Sequence, residues 1–182
     1  MANLVLSFDI GTKNFAYCLA HCKKGECLIE NWNNIDLRGD TAEECTASCV
    51  AFLKEFTKRL ADNHNTYVLI ERQVPQNTAC MCISHGVFAF FLGCFKDINV
   101  TFVNPKDKPL LSHGTARKTE AVKAVNIYLD TKHPTHRHAN FKKWFIAHNK
   151  KDDLADCLLQ IFANVTKFEY KPVPIPVIVI DD

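Results

Sequence analysis

Four carboxylates in this chain stand where their neighbours should discourage a charge. Asp9 closes the apolar run NLVLSFD, Glu71 closes TYVLIE, and Asp153 and Asp156 lie in KKDDLADCLLQIF. An unpaired buried charge costs on the order of several kcal/mol or forces a large pKa shift, so residues placed this way need a partner. On a helix, Asp153 and Asp156 are three apart and share a face. Brought to one point, four carboxylates repel strongly unless cations neutralise them. Hard divalent ions with oxygen ligands, Mg²⁺ or Mn²⁺, suit such a set. Two such ions, roughly 3.5–4 Å apart, form the usual apparatus for in-line displacement at a phosphodiester.

Each residue taken alone also has an ordinary explanation. Asp9 could cap a turn, Glu71 could pair with Arg72, and Asp152 with Asp153 could complement a helix N-terminus. The charge distribution favours the joint explanation. Residues 1–103 hold 9 Lys/Arg against 11 Asp/Glu, residues 104–151 hold 11 against 3 with five His besides, and residues 152–182 hold 2 against 6. A basic block abutting an acidic cluster suits a polyanion gripped beside a metal site, although a solvated basic surface would look the same by charge alone.

The elements that must position these residues can be read from periodicity. Residues 3–9 are expected as a buried strand, Gly11 as its turn and 14–21 as the returning partner. Residues 26–37 alternate enough for a third strand. In TAEECTASCVAFLKEFTKRLAD the period changes: Thr41 followed by Glu44 is a capping box, and Cys45, Cys49, Phe52, Leu53, Phe56 and Leu60 line one helical face. Residues 66–71 predict a strand buried on both faces. Residues 77–96 predict a helix apolar nearly all round, buried by the sheet on one side and on the other by a second subunit, with a central core helix of a monomer as the alternative; Phe91 is a candidate contact that could instead face the sheet. A strand at 98–103, a loop over NPKDKPLLSHGTARK and helices at 117–131, 139–148 and 151–165 follow. The order predicts a ribonuclease H-like α/β fold: a mixed five-stranded sheet, three antiparallel strands then parallel ones, with helices on both faces. In it the carboxylates should converge near the ends of adjacent central strands, facing the last helix.

Length and composition predict one domain over 1–182, with a core of 3–165 and a Pro-rich tail at 166–182. There is no apolar run long enough for a membrane span and no secretory pattern at the N-terminus, so an intracellular protein with no membrane partner is expected. Nine Cys are present without C-x-x-C pairs. Most are expected as small core residues or free thiols, and Cys18, Cys22 and Cys27 do not match the usual zinc-ligand spacings.

FDIGTKN, LIERQ and KKDDLAD, in this order, resemble the RuvC-like Holliday junction resolvases, in particular the poxvirus-type branch of large DNA viruses and the related fungal mitochondrial enzymes. The resemblance spans about residues 3–162. It implies that Asp9, Glu71, Asp153 and Asp156 are the catalytic, metal-binding carboxylates, with Asp9 shared between two Mg²⁺ ions per site and Mn²⁺ able to substitute. Asp152 is then a supporting or capping residue, and Lys150 and Lys151 face the scissile phosphate. Lys13, Asn14, Arg72, Gln73, Arg117, Lys118, Lys123, Arg137, Lys142 and Lys143 would contact DNA, largely at phosphates and without reading sequence.

The function implied is Mg²⁺-dependent endodeoxyribonuclease action on four-way DNA junctions, by paired symmetric nicks that leave 5′-phosphate and 3′-hydroxyl ends. A junction with near two-fold symmetry calls for a homodimer. If the chain is viral, the resemblance implies action in host cytoplasm or nucleus at sites of viral DNA replication. A ribonuclease H or another nuclease of the same fold is the nearest alternative, and a catalytically inactive nucleic-acid-binding module is the non-enzymatic one. D-I-G-T is also similar to the first phosphate turn of actin-like and sugar-kinase-like ATPases. Those enzymes need two such domains and a second Gly-rich turn, and six Gly in the chain leave none clustered, so no nucleotide cofactor is expected.

Overall fold

The apolar alternation of the N-terminal third builds a meander. In the computed structural model, which describes residues 2–24, 26–58, 60, 65–108, 114–131 and 136–165, strands β1 (Asn3–Asp9), β2 (Phe15–Lys23) and β3 (Glu26–Ile35) pair antiparallel. Helix α1 (Ala42–Thr57) leads to strand β4 (Thr66–Glu71), helix α2 (Thr78–Cys94) and strand β5 (Asn99–Val103). A short 3-10 turn at Pro105–Asp107 precedes helices α3 (Gly114–Thr131), α4 (His136–Ala147) and α5 (Lys151–Asn164). Strand order is β3-β2-β1-β4-β5, with β1, β4 and β5 parallel.

The expected mixed five-stranded sheet with helices on both faces is therefore present. Its parallel part follows from the helical crossovers, which alone can return a chain to pair in the same direction. The capping box is formed as expected: Glu44 N–H donates to Thr41 Oγ1, and Thr41 N–H donates to the Glu44 carboxylate. Helix α3 starts earlier than expected, at Gly114, inside the stretch taken as loop. Loop residues 109–113 and the tail 166–182 lie outside the described residues.

Strand alternation sorts side chains into two cores. Leu4, Leu6 and Phe8 of β1, with Val68 and Ile70 of β4, pack with α1 and α2. Val5 and Leu69 face the other way, into a core shared with α3, α4 and α5. Ser7, Asp9 and Glu71 have the parity of that second face. Helix α5 lies over it, with Leu154, Ala155, Cys157, Leu158, Leu159 and Ile161 buried. Trp32 of β3 fixes the start of α5 from the far edge by donating its indole N–H to the Leu154 carbonyl at 3.0 Å.

One expectation needs correction, and one pair of cysteines adds to what was expected. Phe91 does not point outward: it is fully buried, its ring against Phe8 and Phe95. Helix α2 is apolar nearly all round, so its sequence contains little to say which side meets the sheet. Cys22 and Cys27 are not free thiols. They are register partners at the end of the β2–β3 hairpin, with Cα atoms 4.1 Å apart, and a disulfide joins them. Cys18, Cys45, Cys49, Cys80 and Cys157 are buried free thiols, while Cys82 and Cys94 are exposed. Among the described residues no helix is long and apolar enough to cross a membrane.

Candidate active site

Two adjacent parallel strands end side by side at the candidate site. Phe8 pairs with Ile70 in the β1–β4 ladder, so Asp9 and Glu71 occupy the next position on each strand. Gly11 allows the chain to leave β1 tightly, since a Cβ there would lie 2.8 Å from the Asn14 carbonyl oxygen. Opposite these strand ends runs α5, where Asp153, Asp156 and Gln160 form one stripe at helical spacing.

The four carboxylates act on one another. Burial pushes the Asp9 carboxyl well above its usual range, and the negative charges of Glu71, Asp156 and Asp153 push it further, against the opposing pull of Lys108. Asp153 is raised by burial and by Asp152, with Lys118 and Lys150 opposing. For Asp152 burial acts upward, but its bond to Lys118 and that side chain's charge bring the net position below the usual value.

At the centre is a cation, Lys108, absent from the candidates named above. Lys108 follows the 3-10 turn, and its side chain is only 3% exposed. Its ammonium lies 2.6 Å from Glu71 Oε2 and 3.1 Å from Asp156 Oδ1. Burial works against its charge, yet Glu71, Asp156 and Asp9 together raise its pKa. The turn that aims it is braced twice: Asn104 Oδ1 accepts from Lys106 N–H, and the Arg117 guanidinium donates to the Pro105 carbonyl. In sequence, Lys108 sits among charges and prolines in a segment expected as loop, without the apolar context that exposed the carboxylates.

Two further polar residues escaped the sequence reading. Gln160, 1% exposed, donates from Nε2 to Glu71 Oε2 at 2.7 Å and accepts at Oε1 from Ser7 Oγ at 3.1 Å. Both interrupt apolar runs, LVLSFD and LLQIF, and that interruption was an available signal.

An all-carboxylate, partly buried donor set that already holds an ammonium is chemically suited to a hard cation. Glu71 and Asp156 are nevertheless paired to Lys108, and among the described residues no three acidic, His or Cys side chains close on a common point as a metal cage.

The remaining candidates are more scattered. Lys13 is exposed and Asn14 half-buried in the turn after β1. Arg72 is exposed, and its backbone N–H donates to the Val103 carbonyl. Gln73 Nε2 donates back to the Glu71 carbonyl at 3.1 Å. Lys118 pairs with Asp152 at 2.6 Å, and Lys142 pairs with Asp130. Lys123, Lys143 and Lys150 are exposed and Lys151 is half-buried. Arg137 lies in α4, with its side chain outside the described part. A depression of about 650 Å³ between α1 and α2, lined by Ala47, Val50, Ala51 and Cys82 among others, lies on the opposite side of the sheet from the carboxylates.

This sheet order, with acidic strand ends facing an acidic terminal helix, defines a ribonuclease H-like fold of the RuvC type. Solved structures agree on the fold. Fowlpox virus resolvase in complex with substrate Holliday junction DNA superposes with a TM-score of 0.63 at 16% identity, over 90% of this chain and 97% of that one. Thermus thermophilus RuvC gives 0.62 at 16% identity, over 93% and 99%. The same RuvC with a Holliday junction substrate gives 0.56 at 12% identity, over 90% and 96%. Comparison with curated proteins gives no match. The chain belongs to the Poxvirus A22 protein family, whose profile matches residues 3–165.

Proposed function

We propose that the protein is a divalent-metal-dependent endodeoxyribonuclease that resolves four-way DNA junctions. The observation that carries this reading is geometric: Asp9 and Glu71 end adjacent parallel strands, and the buried ammonium of Lys108 joins Glu71 to Asp156 of α5. The proteins of known structure that share the fold include a fowlpox resolvase and a bacterial RuvC, each determined with a Holliday junction.

Asp9, Glu71, Asp153 and Asp156 would hold Mg²⁺ or Mn²⁺, two ions per site. Bound there, such ions supply charge stabilisation and an activated water for phosphodiester hydrolysis. The chain's own part is to bring one DNA strand to the carboxylates and neutralise its phosphates. Lys108 is held where its ammonium can balance negative charge beside Glu71 and Asp156. Lys13, Asn14, Lys150 and Lys151 flank the site, and Arg72, Gln73, Arg117, Lys118, Lys123, Arg137, Lys142 and Lys143 extend the proposed DNA-contacting surface. Asp152, bonded to Lys118, supports the start of α5.

A homodimer would supply two such sites for paired nicks. Its proposed seam is the outer stripe of α2, where Cys82, His85, Ala89 and Leu92 are exposed at helical spacing. Family membership supports action within an infected cell, where viral DNA is replicated.

The test is cleavage of a synthetic four-way junction, a linear duplex and an RNA–DNA hybrid in Mg²⁺. Symmetric nicking of the junction with the duplex largely spared is expected. Equal cutting of hybrid and junction would remove the resolvase assignment while leaving a nuclease of this fold.

A further inference from the structure

Gln160 and Ser7 are buried polar side chains that the proposed chemistry does not itself require, at 1% and 0% exposure. They form a directed relay. A primary amide offers an acceptor on one side and donors on the other. Gln160 Oε1 accepts from Ser7 Oγ at 3.1 Å, and its NH₂ is turned toward Glu71, where it donates to Oε2 at 2.7 Å. The flipped amide would face the acceptor-only Glu71 carboxylate with a second acceptor, so Glu71 fixes the orientation, and the Ser7 hydroxyl holds the amide in place by donating to Oε1.

The relay spans the three elements that carry the carboxylates. Ser7 is on β1 two residues before Asp9, Gln160 is on α5 one turn after Asp156, and Glu71 ends β4. Lys108 and Gln160 both address the same Glu71 oxygen, Oε2. We propose that Gln160, steadied by Ser7, is a positioning residue that holds the Glu71 carboxylate by Oε2 and presents Oε1 to a divalent cation. The inference rests on the metal-dependent reading above. Hydrogen-bond partners of metal ligands typically change affinity by about 10- to 100-fold when removed, because they hold the ligand in one orientation.

The discriminating measurement is Mn²⁺ binding to the metal-free protein, followed by the loss of the free-Mn²⁺ electron paramagnetic resonance signal, alongside thermal unfolding without metal. Gln160→Met keeps the volume and removes the donor; it is expected to weaken Mn²⁺ binding about 10-fold or more. Ser7→Ala should weaken it less. The double variant should match Gln160→Met, because Ser7 acts only through the amide. Asn164→Leu is the control for simple helix packing: that buried amide donates to the Gln160 backbone carbonyl at 2.9 Å, so its loss should lower the melting temperature and leave Mn²⁺ affinity unchanged. Wild-type affinity in Gln160→Met, or in Ser7→Ala should Gln160→Met not fold, overturns the inference, as do independent, additive losses in the double variant. Absence of Mn²⁺ binding by the wild-type protein removes the metal-dependent reading itself, a different failure that is visible before any variant is compared.

Discussion

Lys108 Nζ lies 2.6 Å from Glu71 Oε2, and the lysine side chain is 3% exposed against 15% for the glutamate. An ammonium so far from water is tolerated only with close anionic partners, and Asp156 supplies a second one at 3.1 Å. The pair thus keeps the carboxylates together without metal, and a divalent ion entering the site must share or displace that ammonium.

Lys108→Met should accordingly destabilise the metal-free protein by about 3 kcal/mol, the lower end for breaking a buried pair, since Asp156 retains some contact with water. For a chain of this length that corresponds to a melting temperature lower by about 6–12 °C. Added Mg²⁺ should recover more stability in the variant than it adds to the wild type. Thermal unfolding with and without Mg²⁺ checks this, and equal metal-dependent shifts in the two proteins would count against it.

Asp9 gives a prediction in pH. Burial and the charges of Glu71, Asp156 and Asp153 raise its folded-state pKa, with Lys108 opposing. Between the ordinary aspartate range and that raised value, the folded protein holds a proton that the unfolded chain has released. Stability contributed by Asp9 therefore falls as pH rises through this window. In chelator, Asp9→Asn should be more stable than wild type at neutral pH, and the difference should vanish in acid, below the unfolded pKa. Denaturant midpoints measured across that range test the sign. Asp9→Asn should also lose the stabilisation by Mg²⁺.

Asp9, Glu71 and Asp156 are legible in the sequence because each interrupts or closes an apolar run. The strands and the helix start at Thr41 are legible for the same local reasons, alternation and capping. Lys108 is not, because its burial comes from three elements meeting over a loop whose own residues are polar. Ser7 and Gln160 carry the same interruption signal as the carboxylates, but a neutral polar residue costs less to bury and is easier to pass over. Phe91 illustrates the opposite difficulty: in a helix apolar on every side, periodicity contains no direction.

Asp152 and Asp153 are neighbours with different surroundings, and substitution should separate them. Asp152 is bonded to Lys118, which is 63% exposed, so the pair contributes little, about 0–1 kcal/mol. Asp153 is, with Glu71 and Asp156, one of the charges that raise the pKa of Asp9. Asp152→Asn should leave stability within about 1 kcal/mol and retain junction cutting. Asp153→Asn should abolish cutting while junction binding, followed by gel shift in Ca²⁺, persists. Loss of cutting in Asp152→Asn with retention in Asp153→Asn would reverse the two roles.

The seam proposed on helix α2 would separate folding from association at adjacent positions. Phe91 is 0% exposed and packed against Phe8, so Phe91→Glu places a charge in the core and should prevent folding. Leu92 is 51% exposed on the outer stripe with Cys82, His85 and Ala89. If a second copy covers that stripe, Leu92→Glu desolvates a charge at the seam on association and opposes dimer formation. In the monomer the side chain is half in solvent, so a glutamate can turn its carboxylate to water and should change stability by no more than about 1 kcal/mol. Sedimentation velocity at several concentrations should show a wild-type dimer and a Leu92→Glu monomer with an unchanged circular dichroism spectrum. An unchanged sedimentation coefficient in the variant would place the seam elsewhere on the molecule.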